Sequence, residues 1–574
     1  LAMARTGSGT LLSRRNHKLD SFLKRNTERA VYERIRAYEP CVVVSDTFHK
    51  VYMHAVLSDE HVYLTEYPPR TLTAAVSFGR VRDIELVKDF PDFLSGKDRE
   101  RCQHIRIIHT AERSAGKARD WWRRDRGEGL PPVVLLSHPT VMQTGEGKES
   151  VQHRDQWGTE ELCPLVKPTR SASCPNSETL GLLWVPQPPS LSSSPSSPPS
   201  PSEESLTQVS RRFSSVLSRL LRRDGVTGEE ERDTELHLYV VSETSRLYLH
   251  LQSCWNSFII RSTLLQDPLY RRRCSATPDS SAISGERTAH LFGQLSSELL
   301  QDGISVESLY MLLQELRTAA LRYVTLRRLF WRSSELCDFL VQTLEDCLHG
   351  CVGLGGVYTA DQLLLSTLIV QTLAVMFRET EVEAARVNLL SANKGARASR
   401  MLLALVCDPH THRSETDSEV SCTLMSSVTA LQALLAEYLD AACALLFELL
   451  ILGYEVRSDT FLSVSWTLRV LQPHPHLVAF VSYQAQQVVL VLSGLQELVL
   501  TPVQSVLLFQ RCRLLLACLQ YNSHLAQHLR SHFREEFRYS VKPSCAGESL
   551  PPHYPISRPT LQLVESILSL ILHR

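Results

Sequence analysis

Three histidines, His524, His528 and His532, stand at i, i+4 and i+8, a spacing that places three imidazoles on one face of a helix. Two imidazoles at i, i+4 can share a zinc ion, but a complete site needs further ligands, and no HExxH glutamate accompanies them. The pattern therefore reads as a solvated helix face. A second cluster, Cys407, His410 and His412, has no CxxC or HxxxH to close a coordination shell, so no metal and no cofactor is expected. Nucleophilic chemistry lacks a GxSxG elbow, and the glycine-rich patch Gly350, Gly353, Gly355 and Gly356 is followed by no GK[ST]. No catalytic residue is assigned, and the chain is expected not to be an enzyme.

Binding chemistry is better represented. The stretch Val209 to Arg223, VSRRFSSVLSRLLRR, sets Val209, Phe213, Val216, Leu217, Leu220 and Leu221 on one helical face. Arg211, Arg212, Arg219, Arg222 and Arg223 lie beside that face, with no acidic residue among them. A basic amphipathic helix can lie on an anionic membrane or enter the groove of calmodulin or a similar partner. The competing reading is a helix packed on its own domain, or a disordered arm. Ser214, in the run Arg211-Arg212-Phe213-Ser214, fits a basic-directed phosphorylation pattern, and phosphate there would add about −2 charge to the arginine face. Ser194, Ser197 and Ser200, each followed by proline, fit proline-directed sites. Trp121-Trp122-Arg123-Arg124 mixes aromatics with cations, as an interfacial anchor or a base-stacking platform would.

These segments hang on a chain of 574 residues, 43% hydrophobic, long enough for more than one core. Its formal charge of −1 denies the whole chain the positive field that non-specific nucleic-acid binding needs, so no nucleic acid is expected as a partner. Fifteen cysteines without a CxxC read as reduced structural thiols in a cytosolic chain. The apolar run Leu363 to Phe377 is interrupted by Ser366, Thr367, Gln371 and Thr372 and falls short of the roughly 20 residues of a membrane span, so it reads as a buried helix.

Element by element, Leu19, Phe22, Leu23, Val31 and Ile35 recur at helical spacing before Pro40. Strands are expected at Cys41 to Ser45, Val51 to Leu57, Val62 to Glu66, Val81 to Val87 and His104 to His109. From about Ala111 to Asp233 the pattern gives way to Gly, Ser, Pro and charge, the composition of a disordered insert. Two further strands are expected at Leu236 to Val241 and Arg246 to Leu251, then a helix from Cys254 to Gln266. Residues 15–112 and 233–267 thus form one split β-rich module around the insert 113–232. A linker, 268–287, leads to residues 288–574, where leucines such as Leu312, Leu313, Leu316, Leu363, Leu364 and Leu368 mark successive helices.

Seven strands capped by a helix resemble the pleckstrin-homology-like superfold, here with a long insertion between the fifth and sixth strands. The helix residues Trp255, Phe258, Ile259, Leu264 and Leu265 would plug the open end of its barrel. Domains of that kind that bind phosphoinositides gather cations around the turn between their first two strands. Here that turn offers His49 and Lys50, with Lys88 and Arg70 nearby, so docking of a protein is at least as well served. The strings Ala37-Tyr38-Glu39-Pro40-Cys41, Gln103-His104-Ile105-Arg106-Ile107-Ile108, Met376-Phe377-Arg378-Glu379-Thr380-Glu381 and Arg534-Glu535-Glu536-Phe537-Arg538-Tyr539 resemble a family of uncharacterised vertebrate proteins. That resemblance spans both ordered regions, fails in the insert, and implies shared architecture without catalytic residues to carry over.

The expectation is an α+β chain, a split pleckstrin-homology-like β-barrel module followed by an all-α, armadillo-like or HEAT-like helical-repeat domain. It would act as a cytoplasmic adaptor or scaffold with protein partners. The alternative is a peripheral membrane protein whose β module and basic helix bind anionic lipid.

Overall fold

The computed structural model describes residues 16–46, 50–89, 91–110, 233–274, 285–349, 358–378, 384–409, 422–455, 461–493, 499–541 and 549–572. Helices α1 (His17–Asn26) and α2 (Arg29–Arg34) lead into seven strands. These are β1 (Ala37–Val44), β2 (Val51–Leu57), β3 (His61–Glu66), β4 (Leu72–Ser77), β5 (Val81–Val87), β6 (Cys102–Thr110) and β7 (Asp233–Val241), with a short helix α3 (Lys97–Glu100) before β6. They form one sheet in the order β4-β3-β2-β1-β7-β6-β5, and every neighbouring pair is antiparallel.

Strand β7 joins the two halves of that sheet, because it pairs with β6 from Cys102↔Val241 to Thr110↔Asp233 and with β1 from Val42↔Tyr239 to Val44↔His237. The chain leaves the sheet at Thr110 and re-enters directly opposite at Asp233, so the long insertion is a hairpin excursion that costs the ladder nothing. One face carries Val43, Ala55, Leu57, Leu64, Ile84, Ile105, Ile107, Leu236 and Leu238, all buried. The helix α4 (Leu247–Leu264) packs on this face through Leu247, Leu251, Cys254, Trp255 and Ile259. On the opposite face, Tyr38 and Val56 are covered by Leu19 and Leu23 of α1 and by Ile35.

Several expectations are corrected here. Arg246 to Leu251 is not a strand: Leu247, Leu249 and Leu251 alternate, but Leu247, His250, Leu251 and Cys254 are buried at helical spacing, and the segment opens α4. The missing strand is β4, whose Leu-Thr-Ala-Ala-Val-Ser has little alternation because it is an edge strand with an exposed middle. The insertion accordingly falls between the sixth and seventh strands. Pro40 lies inside β1, where β7 pairs only with Val42 to Val44, so the absent N–H removes no bond to that neighbour. The stretch expected as linker begins with a helix, α5 (Pro268–Cys274), which Pro268 starts.

Further helices follow: α6 (Gly285–Leu299), α7 (Val306–Arg322), α8 (Val324–Phe330), α9 (Ser334–His349), α10 (Ala360–Phe377), α11 (Ala384–Leu405), α12 (Cys422–Glu455), α13 (Val464–Leu471), α14 (Leu477–Leu492), α15 (Pro502–Tyr521), α16 (Ser523–His532), α17 (Arg534–Ser540) and α18 (Ser557–Leu572). Helices α7, α10, α12, α15 and α18 pack each on the next. α10 and α15 are apolar on nearly all sides and long enough to cross a membrane, yet about 72% of each is buried inside the helical region. Both start at a capping box, Thr359 with Gln362 and Thr501 with Gln504, which fixes where an otherwise featureless apolar run becomes helix.

The helical region also covers the outer side of α4, packing on it with α12 and α15, and a single apolar core runs through both regions. Polar bonds tie the same contact. The Arg513 guanidinium donates to Asn256 Oδ1 at 3.0 Å, Ile556 N donates to Thr263 Oγ1 at 2.9 Å, and Gln562 Nε2 donates to Asp83 Oδ2 at 3.1 Å. The chain is thus α+β, an antiparallel seven-stranded sheet followed by a helical region.

Candidate functional site

Where α4 meets the helical region, a cleft open to solvent on one side is lined by Arg36, Arg261, Arg378 and Arg386. Among the described residues Asp59 and Glu448 are the carboxylates of the lining, while Phe258, Phe377 and Phe447 supply apolar walls. Each element brings its arginine for a separate local reason. Arg36 immediately precedes β1 and pairs with Asp59 in the turn between β2 and β3. Arg261 projects from α4 to Glu60 of the same turn at 3.2 Å, and Glu60 also receives Arg34 at 3.1 Å.

Arg378 follows the last residue of α10, whose terminal carbonyls point out of a buried helix and need donors. Three side chains supply them: Trp331 Nε1 donates to Met376 O at 3.1 Å, Arg386 to Phe377 O at 3.1 Å, and Arg327 to Arg378 O at 2.6 Å. Cations at a helix C-terminus also oppose its negative dipole end, so Arg327 and Arg386 have a structural task. Arg386, 4% exposed, additionally lies over the Phe377 ring at 5.5 Å. This accounts for Arg386; at the cleft wall Arg36 pairs with Asp59, Arg261 with Glu60 and Arg378 with Glu448. Arg378 meets Glu448 only at 3.6 Å.

Like charges crowd behind this wall. Burial pushes the Arg317 guanidinium below its ordinary range, and the charges of Arg273 and Arg378 push it the same way, against the pull of Glu437. Arg317 Nε is buried without a hydrogen-bond partner. The arrangement can neutralise an anion. Among the described residues Asn256, Ser257 and Tyr270 are the other polar side chains of the wall.

The residues singled out from the sequence fall elsewhere. His524, His528 and His532 do lie on α16; His528 stacks on His532 at a centroid distance of 4.2 Å, and its Nε2 meets Ser482 Oγ of α14 at 2.8 Å. A Ser and His at this distance suggest a dyad, but among the described residues no carboxylate bonds His528, and the contact is a bond between two packed helices. Among the described residues no three His, Cys, Asp or Glu side chains converge to hold a metal. Cys407 is buried, its thiol pushed up to about 12 by burial, with Asp408 adding to the rise. Its expected partners His410 and His412 lie outside the described residues, as do Trp121, Trp122 and the glycine patch. So do Val209, Arg211, Arg212, Phe213, Leu217, Arg219, Leu220, Arg222 and Arg223 of the basic helix and the serines Ser194, Ser197, Ser200 and Ser214. Of the cations near the first turn, Lys50 sits over the Phe93 ring at 5.2 Å. The arginine cleft itself has no local signature, since its four arginines come from three separate stretches, around Arg36, around Arg261 and from Arg378 to Arg386.

Comparison with known proteins places this architecture in a family. No solved structure matches the chain. It is similar to Uncharacterized protein C12orf56 of Homo sapiens, 34% identical with 97% of this chain and 98% of that protein covered. The Macaca fascicularis homologue is 33% identical over the same shares, and the Mus musculus homologue is 40% identical over 60% of this chain and 67% of that protein. The family described as Protein of unknown function (DUF4551) matches residues 13–570, and the chain belongs to it.

Proposed function

We propose that the chain is a non-catalytic adaptor, a split pleckstrin-homology-like module fused to a helical-repeat-like domain, whose partner docks an anionic group in the arginine cleft. The cleft carries this reading, because among the described residues four guanidiniums and two carboxylates line a space walled by both regions. Support for the module comes from the strand order, two antiparallel halves joined by the first and last strands and followed by one helix over the open side. The successive packing of α7, α10, α12, α15 and α18 supports a stacked helical array. At the edge strand β5, Gln252 Nε2 donates to Ile84 O at 2.8 Å and Gln562 Nε2 donates to Asp83, so part of that edge is already engaged by the chain's own helices.

Affinity capture with the full chain tests the proposal when wild type is compared with an Arg261→Glu, Arg378→Glu variant of matching melting temperature. The expected outcome is a discrete protein partner recovered by wild type and lost by the variant. Identical recovery with both chains would overturn the assignment of the cleft.

A further inference from the structure

We infer that His104 and His237 form a one-proton pH sensor, a hydrogen-bonded pair that ties the connection between β5 and β6 to strand β7.

The pair lies on the face of the sheet opposite α4, where the register sets His104 of β6 beside Tyr239 of β7 and Arg106 beside His237. Four side chains run in a line there. Asp89 Oδ2 stands 2.9 Å from His104 Nδ1, His104 Nε2 stands 2.9 Å from His237 Nδ1, and His237 Nε2 stands 3.1 Å from Glu235 Oε2. The buried His104 ring stacks on Tyr239 at a centroid distance of 4.2 Å, which fixes its plane. Phe93, from the same connection as Asp89, meets the Tyr239 ring edge-on at 4.9 Å.

Proton counting defines the device. An ionised carboxylate only accepts, so Asp89 requires a proton on His104 Nδ1. A neutral His104 then leaves Nε2 bare, and the bond between the rings has to be donated by His237 Nδ1. A neutral His237 in turn leaves its own Nε2 bare against the Glu235 carboxylate. Three contacts need three protons, and two neutral imidazoles bring two. One further proton completes the chain, giving Asp89, the ring-to-ring bond and Glu235 a donor each. A second is opposed, because two N–H groups would then meet head-on across 2.9 Å.

The surroundings favour a single step. Burial keeps His104 below its ordinary range against the pull of Asp89, and His237 and Arg106 add to the effect. Burial also raises the Tyr239 phenol and the Cys102 thiol, so both stay neutral beside the pair. Arg106 bonds Glu85 and stands 3.6 Å from Glu235 Oε1, while Lys50 is held over the Phe93 ring. In the unprotonated pair the bare Nε2 repels Glu235 toward Arg106; in the protonated pair Glu235 bonds His237. The proton thus moves the start of β7 between two partners, while the ring-to-ring bond keeps Asp89 and its connection in place. Folding leaves room for one proton where two free histidines would take two.

NMR of the ring nitrogens in the full chain, produced with isotope-labelled histidine and titrated from about pH 8 to about pH 5, provides the test. His237 is identified as the ring that Glu235→Gln moves most and His104 as the ring that Asp89→Asn moves most, so neither imidazole is removed. At the alkaline end both rings should be Nδ1–H tautomers, the minority form of imidazole in water, and on acidification they should change together through one midpoint. An Nε2–H tautomer of His237 at the alkaline end, or unrelated midpoints for the two rings, would overturn the inference. Glu235→Gln offers an amide N–H where the chain lacks a proton, so the midpoint should fall by about one pH unit, a tenfold weaker proton affinity. Glu235→Ala removes the carboxylate without offering that donor and should shift the midpoint less. A shift with Ala as large as that with Gln, or no shift with either, contradicts the proton count.

Discussion

Among the described residues four histidines are held below their ordinary ionisation range, and burial is the first cause for each: His54, His104, His109 and His528. A folded pKa below the unfolded value of 6.5 means that the unfolded chain takes up protons first as pH falls. Stability is therefore fully present above 6.5 and declines as pH drops through 6.5 toward the lower folded values. A melting temperature that stays flat from about pH 8 to 7 and falls toward about pH 5 is expected in a thermal scan; a rise on acidification would contradict it. Glu39 poses the opposite problem. Burial raises its carboxyl, yet it accepts from Ser245 Oγ at 2.6 Å and from Arg246 N at 3.2 Å, standing in for the side-chain cap that α4 lacks. Glu39→Ala would strip both donors of their acceptor and should lower unfolding free energy by about 2–3 kcal/mol, measured by urea denaturation. The sequence shows the histidine spacing on α16 plainly, because i, i+4 periodicity is local. It hides the bond from His528 to Ser482, and it hides the cleft, because Arg36, Arg261, Arg378 and Arg386 meet only through tertiary packing.

Local pattern reads an element when its residues carry a clear run or period of their own. Strands β2, β3, β5 and β6 were legible in their β-branched runs. α4 was misread at its start because it is buried on the sheet side and on the helical side, so no polar face marks its period, and a chance alternation of leucines took over. β4 was missed for the contrary reason: Thr73 and Ala74 are exposed on an edge and carry no apolar signal. Helix α11 holds a feature that periodicity cannot reveal. Ala392 to Gly395 leave helical geometry, Asn393, Lys394 and Gly395 all take positive φ, and a Cβ on Gly395 would stand 2.7 Å from Trp466 Cζ2. Gly395→Ala should therefore cost about 2–4 kcal/mol, from strain at a φ of +79° and from the clash with Trp466. Combining it with Trp466→Leu should give a loss smaller than the sum of the two single losses, since one mutation removes the other's obstacle. Strict additivity in chemical denaturation would show that the indole is not what the kink is built around.

At the scale of the whole molecule, the split of the sheet was readable from composition, but its consequence required the register. Strand β7 is central rather than terminal: without it, β1 to β4 have no partner linking them to β5 and β6. Residues 15–112 alone would expose two unpaired strand edges and the face that α4 covers, and they should aggregate. Adding residues 233–267 restores the sheet and α4 but leaves bare the side of α4 on which α12 and α15 pack, with Asn256 and Thr263 deprived of Arg513 and Ile556. The two regions share one core, so the sheet module should reach full stability only in the presence of residues 288–574. Excision of 114–232 from the full chain is a different operation. Thr110 and Asp233 face each other across the ladder, and a hairpin there needs only about 2–5 connecting residues. Replacing the insert with a short Gly/Ser link should leave the melting temperature of the full chain within a few degrees of wild type, because loop closure depends only logarithmically on length. Differential scanning calorimetry on the three chains decides the matter: one cooperative transition for the excised full chain, an early broad one for 15–267 without its insert, and none for 15–112. A sharp, high transition from the isolated sheet module would mean that the apolar contact with α12 and α15 contributes little, and the cleft between the two regions would then lose its fixed walls.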